Sequence, residues 1–421
     1  MGGFADTARK VLRKVDGELG ELTFSGLPFT IPARNESADT LRRRRFIRRR
    51  YMQRWPLPLR FVVAAVMSIS WPLNAFVVTH RLLRSRELEY STDARWMGWH
   101  PVLNVWRYAI RLNLLPSEVL DFGLRNVEAT SGDHWLSNID TPRALRSLCS
   151  GEAAPIVDNK VNFAKFCAEI EMRHIPTLAD WLDGKGSAES SPVFNDPEGR
   201  ICDLVLKPSS GSNAVGVELW ERTGCNYGCG GIILTLPELL ERGRNLSATG
   251  IGYLLQPRLG PHPEIGGFEN GSPTARIITG RWPDGRVQAL VAAWYQPVQG
   301  DFASNAAGWL DGRWHEWPIN LLSGRIEERR GEVPCRAVSG SDLEGKLLPN
   351  WDEAIEMTTR AHAAMPGRTP ALGWDILFSE KAPVLVEANL SVEVASMQIA
   401  HSKPMGQGAL GNLIDAYIYE T

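Results

Sequence analysis

The chain has 421 residues, of which 43% are hydrophobic and 22% charged, with a net charge of −2. That is enough apolar material for real cores and enough length for two to three domains of about 150 residues each, and there is no internal repeat or low-complexity block. The near-neutral balance and the lack of a recognisable binding module argue against a nucleic-acid partner. Six scattered cysteines (Cys149, Cys167, Cys202, Cys225, Cys229 and Cys335) form no disulfide framework and read as free thiols of a reducing compartment. Cys225 and Cys229 lack a second Cys or His pair, so no zinc site is expected there.

Charge is unevenly placed. Residues 1–60 hold 14 Lys and Arg against 6 Asp and Glu, a net of +8, peaking in LRRRRFIRRRYMQRW at 41–55. An uncharged apolar run follows at 61–78. A membrane span needs about 20 apolar residues, and this run is slightly short and contains Ser68, Ser70, Pro72 and Asn74. It begins too late to be a signal peptide. Three readings stay open for 41–78: attachment to an anionic membrane surface, a buried helix pair with solvated arginines, and a true span. Residues 61–130 read as helical, with an amphipathic period in RYAIRLNLLPSEVLDFGL broken at Pro116.

Lys160 sits where Val161, Phe163, Phe166 and Ile170 give a helical pattern. Residues 150–250 alternate helix and strand, and 181–200 read as a loop from their Gly, Pro, Ser and Asn content. Residues 203–220, DLVLKPSSGSNAVGVELW, read as a hairpin with Lys207 at its base and a Ser/Gly tip. Small residues there expose backbone N–H groups, and a lysine adds a point charge, which suits a phosphate; the Walker A spacing is absent. GYLLQPRLGPHPEI follows, a strand running into a Pro-broken loop at Gln256, with 260–272 a second loop. PTARIITG is a strand carrying Arg276. Four of the fifteen tryptophans fall within 294–317 (Trp294, Trp309, Trp314 and Trp317); core packing is favoured over an acceptor pocket for sugar or lipid.

The last stretch, GWDILFSEKAPVLVEANLSVEV at 373–394, is the most telling. Two strands joined by SEKAP place Asp375, Glu387 and Asn389 at neighbouring strand ends, and Glu387 and Asn389 share a face. Three oxygen donors make a poor core and a good site for a hard cation, which fills its remaining positions with phosphate and water. The plainer alternative is a solvated strand end.

The order of these segments resembles the ATP-grasp superfamily, and within it the sugar-transfer-associated ATP-grasp proteins, over about residues 150–421. The resemblance implies an α+β fold, two α+β lobes holding ATP between them, preceded by a helical, basic N-terminal region. The expected divisions are 1–149, 150–255 (with the phosphate-binding hairpin) and 256–421 (with the metal site). It implies that Lys160 and Lys207 bind nucleotide phosphates and that the hairpin of Ser209, Ser210, Gly211, Ser212 and Gly216 covers them. It implies that Leu254, Leu255, Gln256 and Leu259 hold adenine through backbone groups, that Glu264 or His262 meets the ribose, and that Arg276 faces phosphate or a bound carboxylate. Asp375, Glu387 and Asn389 match the metal ligands, for one or two Mg²⁺ ions, with Mn²⁺ an alternative. Two departures stand out. Gln256 replaces the usual glutamate of the hinge. Gly373 stands where related D-alanine ligases carry an arginine, which weakens a dipeptide-ligase reading. The implied activity is an ATP-dependent ligase in polysaccharide, glycolipid or peptide-like metabolite assembly, cytoplasmic or peripheral at the inner face of the membrane. A phosphotransferase and a non-catalytic ATP-binding module are the alternatives.

Overall fold

The computed structural model describes residues 26–32, 36–90, 99–124, 134–188, 202–211, 215–265, 273–297, 314–328 and 343–420. The chain divides into two compact units. One takes residues 1–147, 330–334 and 393–421; the other takes 148–329 and 335–392.

The first unit is helical among its described residues. Its helices are α1 (Ala38–Gln53), α2 (Leu57–Tyr90), α3 (Trp99–Leu112), α4 (Pro116–Asp121) and α5 (Asp140–Arg146). Ser37 caps α1, its Oγ accepting from the Thr40 amide at 3.2 Å. Most of the arginine run lies on α1, and three of its arginines are interior scaffolding. Arg43 Nε donates to Asp415 at 2.9 Å. Arg44 donates to Glu36 at 2.8 Å and to the Arg111 carbonyl at 2.6 Å. Arg48 Nη1 donates to both Asp140 oxygens at 2.8 Å, with both partners buried. The guanidinium carbons of Arg48, Arg54 and Arg143 stand 4.5, 4.4 and 5.5 Å from the centre of the buried Tyr51 ring. Such cation–ring contacts spread a charge that burial would otherwise leave costly. The whole run was expected to face lipid or solvent; Arg43, Arg44 and Arg48 do neither.

Helix α2 continues through Pro72, which removes one donor from the helical ladder without ending it. Its Val63, Met67, Trp71, Ala75, Thr79 and Leu83, spaced by four, are buried. Val63 and Met67 pack on Tyr51, Met52 and Trp55, while Trp71 and Ala75 pack on Leu27, Trp106 and Ile110. Trp106 Nε1 also donates to the Pro72 carbonyl at 2.8 Å.

In the second unit come α6 (Ala154–Val157), α7 (Lys160–Glu169), α8 (Leu236–Ser247) and α9 (Trp351–Ala364), with two antiparallel sheets. The chain then returns to the first unit for α10 (Val394–His401) and α11 (Ala409–Glu420). There Gln398 exchanges two hydrogen bonds with the Leu136 backbone, at 2.9 and 2.8 Å, and Asn138 Oδ1 accepts from the Val394 and Ala395 amides at the start of α10. The expected C-terminal lobe ran to 421; these last helices pack with the N-terminal ones.

The seven-stranded sheet is ordered β2-β1-β7-β3-β4-β5-β6. Its strands are β1 (Ala179–Leu182), β2 (Lys185–Ala188), β3 (Leu204–Pro208), β4 (Glu218–Thr223), β5 (Asn226–Cys229), β6 (Ile232–Thr235) and β7 (Tyr253–Pro257). Residues 181–188, expected as loop, form a hairpin. Asp183 and Gly184 both take positive φ (53° and 73°), the two-residue turn that matches strand twist. Leu204, Leu206 and Leu255 turn into a core with Trp181, Trp220 and Leu239 of α8. Alternation therefore sends Val205, Lys207, Leu254 and Gln256 to the other face, and the register pairs Lys207 with Leu254 and Val205 with Gln256.

The five-stranded sheet is ordered β10-β9-β8-β11-β12. These are β8 (Thr274–Arg281), β9 (Val287–Pro297), β10 (Trp314–Ile319), β11 (Ala371–Phe378) and β12 (Pro383–Asn389). One face is the main core: Ala275 and Ile277, Ala292 and Trp294, Leu372, Trp374, Ile376 and Phe378, covered by Trp351, Ala354, Met357 and Ala361 of α9. Trp294 and Trp317 are buried in it, so these two pack as favoured; Trp309 lies outside the described residues. A buried polar chain braces this core: Trp374 Nε1 donates to Thr279 Oγ1 at 2.7 Å, which meets His362 Nδ1 at 2.7 Å, and His362 Nε2 meets the Thr369 carbonyl at 2.8 Å. A carbonyl only accepts, so Nε2 carries the hydrogen, and burial holds the His362 pKa down to about 3.

Pairing of β11 with β12 shifts between Asp375 and Ile376: Asp375 faces Glu387, but Ile376 faces Leu385. Val386 is thus the extra residue of a bulge. Leu385 joins the core, and Glu387, two residues on, is turned to the opposite face.

One prediction follows from this packing. Gly324 has φ +67°, and a Cβ there would lie 2.4 Å from Trp351 Cγ. Trp351 is buried, stacks on Phe378 at 6.2 Å and donates to the Leu321 carbonyl at 2.8 Å, so its ring cannot retreat. Left-handed strain and overpacking together should make Gly324→Ala roughly 2–4 kcal/mol less stable. An unchanged denaturant midpoint would disprove it.

Candidate active site

The face of the five-stranded sheet opposite its core carries a row of charged side chains. Register places Arg276, Asp375 and Glu387 abreast on β8, β11 and β12. Arg276 grips Asp375 with two parallel bonds, Nε to Oδ1 at 2.6 Å and Nη2 to Oδ2 at 2.7 Å, and its guanidinium stands 5.5 Å from the Tyr295 ring centre. Asn389 follows on β12, its Nδ2 at 3.5 Å from Glu387 Oε1. Gly373 lies opposite Asn389 in the register and has no side chain to crowd Arg276.

Two lysines complete the group. Lys160 opens α7, just after the Asn159 cap, and its Nζ is 3.7 Å from Glu387 Oε2. It also donates to the Gly211 carbonyl at 2.9 Å, while its amide donates to the Ser209 carbonyl at 2.8 Å. Helix α7 is thus tied to the tip of the β3–β4 hairpin at two points. Lys207, buried on the face of β3 opposite its leucines, lies near enough for the charge of the same carboxylate to act on it.

Electrostatics follow from this crowding. Burial pulls the Lys207 pKa down to about 8; Glu387 opposes that and Lys160 adds to it. Burial pushes Asp375 up to about 6, against Arg276 and with Glu387. Burial would raise Glu387 too, but Lys160, Lys207 and Arg276 outweigh it and hold its carboxyl below the ordinary range. Three cations face two carboxylates, so the site carries a positive surplus suited to a polyanion.

The donor set fits a hard cation: two carboxylates and an amide on one face, with no soft ligand. Asp375 keeps lone pairs beyond those that Arg276 occupies, since an ionised carboxylate offers about four acceptor sites. Asp375, Glu387 and Asn389 would hold the ion. Arg276 was expected to face phosphate or a bound carboxylate; here its fork is engaged by Asp375.

The remaining expected residues are placed as follows. Ser209 is buried, and its amide donates to the Gly252 carbonyl at 2.7 Å. Ser210 and Gly211 are exposed at the hairpin tip, Gly216 returns the chain at φ +76°, and Ser212 lies outside the described residues. Leu254, Leu255 and Gln256 lie within β7, flanked by β1 and β3, and the Leu255 carbonyl already accepts from Leu178 at 2.8 Å. Gln256 Nε2 donates to the Ile175 carbonyl at 3.1 Å, a bond that a glutamate could not donate. Leu259 follows the strand. Glu264 is exposed in the next turn, its amide 3.3 Å from His262 Nδ1. What the sequence reading missed is the Arg276–Asp375 pairing and the Val386 bulge. Only an alternation count along VLVEAN, which puts Leu385 and Glu387 in phase, signals the latter.

Comparison with known proteins bears on these residues. The family described as sugar-transfer associated ATP-grasp matches residues 319–410, which contain Asp375, Glu387 and Asn389. No curated protein matches. Among solved structures, D-alanyl-alanine synthetase A from Vibrio cholerae is 12% identical, covering 65% of this chain and 67% of its own, with a TM-score of 0.39. D-alanine–D-alanine ligase from Bacillus anthracis is 13% identical, covering 66% and 74%, with a TM-score of 0.38. N5-carboxyaminoimidazole synthase from Aspergillus clavatus, solved with ADP, is 13% identical, covering 62% and 58%, with a TM-score of 0.31. The match to the sugar-transfer associated ATP-grasp family thus lies over the β11–β12 hairpin and the site residues it carries, and spans less than a quarter of the chain.

Proposed function

We propose that this protein is an ATP- and Mg²⁺-dependent ligase that activates a carboxylate for attack by an amine or another nucleophile. The observation that carries the reading is the convergence of Lys160, Lys207, Glu387, Asp375 and Arg276 on one small region of the second unit. Lys160 and Lys207 bind and orient the phosphates. Asp375, Glu387 and Asn389 would hold Mg²⁺, which would supply positive charge against the phosphate oxygens. Arg276 fixes the Asp375 carboxylate in one orientation. The chemistry is transfer of the γ-phosphoryl group to a substrate carboxylate oxygen as the β–γ bond breaks and ADP leaves. The nucleophile then attacks the acyl carbon, loses its proton and expels phosphate. The acceptor is proposed to belong to polysaccharide, glycolipid or peptide-like metabolite assembly at the cytoplasmic side, by the family's sugar-transfer association. Product analysis tests this: ADP, phosphate and an adduct support it, whereas ADP with a phosphorylated acceptor, or no turnover on any acceptor screened, contradicts it.

A pH dependence comes from Lys207. Its pKa is lowered to about 8, so it is charged below that value and neutral above it. Metal-free affinity for an ATP analogue should therefore hold up to about pH 8 and weaken beyond it. Lys207→Arg, whose guanidinium stays charged, should move that limb upward. Calorimetric titrations across this range check it; a profile flat well above pH 8 would contradict it.

A further inference from the structure

The outer face of α2 is apolar and exposed. Phe61, Val62, Ile69 and Leu73 are 77, 59, 68 and 64% exposed, and Val66 and Val77 continue the stripe. At 1.5 Å per residue it runs about 24 Å. A helix apolar all round is ordinarily covered on every side, yet only 22% of the most apolar window of Leu57–Arg84 is buried. Exposed apolar patches of this kind mark a partner or a membrane.

Charge selects between the two. Residues 57–84 contain no Asp or Glu, and over the whole of α2 the arginines at 60, 81, 84 and 86 outnumber Glu87 and Glu89. Arg54 is exposed just before the helix, and Arg81 and Arg84 are exposed at its far end. Two copies of the chain joined along this stripe would set basic ends against basic ends, whether parallel or antiparallel. A lipid surface meets both features at once, with acyl chains for the stripe and anionic headgroups for its two ends. Spanning is disfavoured because the opposite face is engaged: Val63, Met67, Trp71 and Ala75 are packed, and Trp106 is bonded to the Pro72 carbonyl. We propose that α2 lies in the interface of an anionic membrane, Phe61, Val62, Val66, Ile69, Leu73 and Val77 entering the acyl boundary and Arg54, Arg81 and Arg84 meeting headgroup phosphates. This is independent of the ligase reading.

The test is flotation of the full-length protein with phosphatidylcholine vesicles, with and without phosphatidylglycerol, at low and high salt. The protein should float with the anionic vesicles and be released by salt, because exposed charges are screened within about 10 Å at 0.1 M. V62E/I69E/L73E, all at exposed positions, should abolish binding with an unchanged melting temperature; I69E alone serves if the triple variant melts early. R81Q/R84Q should weaken binding about thirtyfold and remove most of the salt dependence, at roughly one headgroup contact per arginine. The proposal is overturned if the wild type ignores anionic vesicles at low salt, or if I69E binds as the wild type does. A solution dimer that I69E dissolves, with no vesicle binding, would assign the stripe to a second copy and overturn it equally.

Discussion

Glu387→Ala is expected to remain folded and to lose ATP turnover by at least about a thousandfold, because a lost metal ligand removes charge stabilisation that positioning does not replace. Glu387 stands between all the cations of the site. Lys160 is 3.7 Å away, and Lys207 and Arg276 both act on it. Its removal leaves three cations facing Asp375 alone, so metal-free ATP binding should persist or tighten while the gain from added Mg²⁺ disappears. Glu387→Gln keeps the shape and should behave the same way. Turnover and calorimetry with and without Mg²⁺ read both effects. Near-normal turnover by a folded Glu387→Ala protein would remove Glu387 from the metal site.

Asp140→Ala should cost the helical unit about 3–5 kcal/mol, since removing one partner of a buried pair strands the other charge. Both Asp140 and Arg48 are buried, and Arg143 and Arg54 also lean on the same carboxylate. Without it, three guanidinium groups crowd the Tyr51 ring with their nearest counter-charge gone. Replacing both partners with apolar residues, Arg48→Met with Asp140→Leu, should recover most of the loss. A denaturant-melting cycle over the two single variants and the double one measures the coupling. Additive effects would show that the pair is not an energetic unit.

Legibility from the sequence tracked how local each feature is. The hairpin carrying Asp375, Glu387 and Asn389, the Lys207 hairpin and the helix opening at Lys160 each rest on neighbours within a few tens of residues, and residue types in order were enough to read them. The arginine run was misjudged because the partner of Arg43 is Asp415, 372 positions away, and no local pattern reports such a distance. For the same reason α10 and α11 were assigned to the wrong neighbours. The β1–β2 hairpin was legible in principle: Asp183-Gly184 is a strong turn signal, outweighed by the Gly/Ser-rich stretch after it. Arg276 was expected at the site, but its grip on Asp375 depends on which strands adjoin, and that is a property of the sheet.

The bulge at Val386 also sets what length changes this hairpin can accept. With it, Leu385 fills the core and Glu387 faces the site. Deleting Val386 would make Leu385 and Glu387 consecutive, and strict alternation would then keep them on opposite faces, as they stand now. A point substitution at 386 leaves both neighbours where they are. A deletion scan along β12 should therefore find Val386 the residue whose loss the pairing tolerates best, whereas loss of Leu385 or Glu387 removes a core or a site side chain.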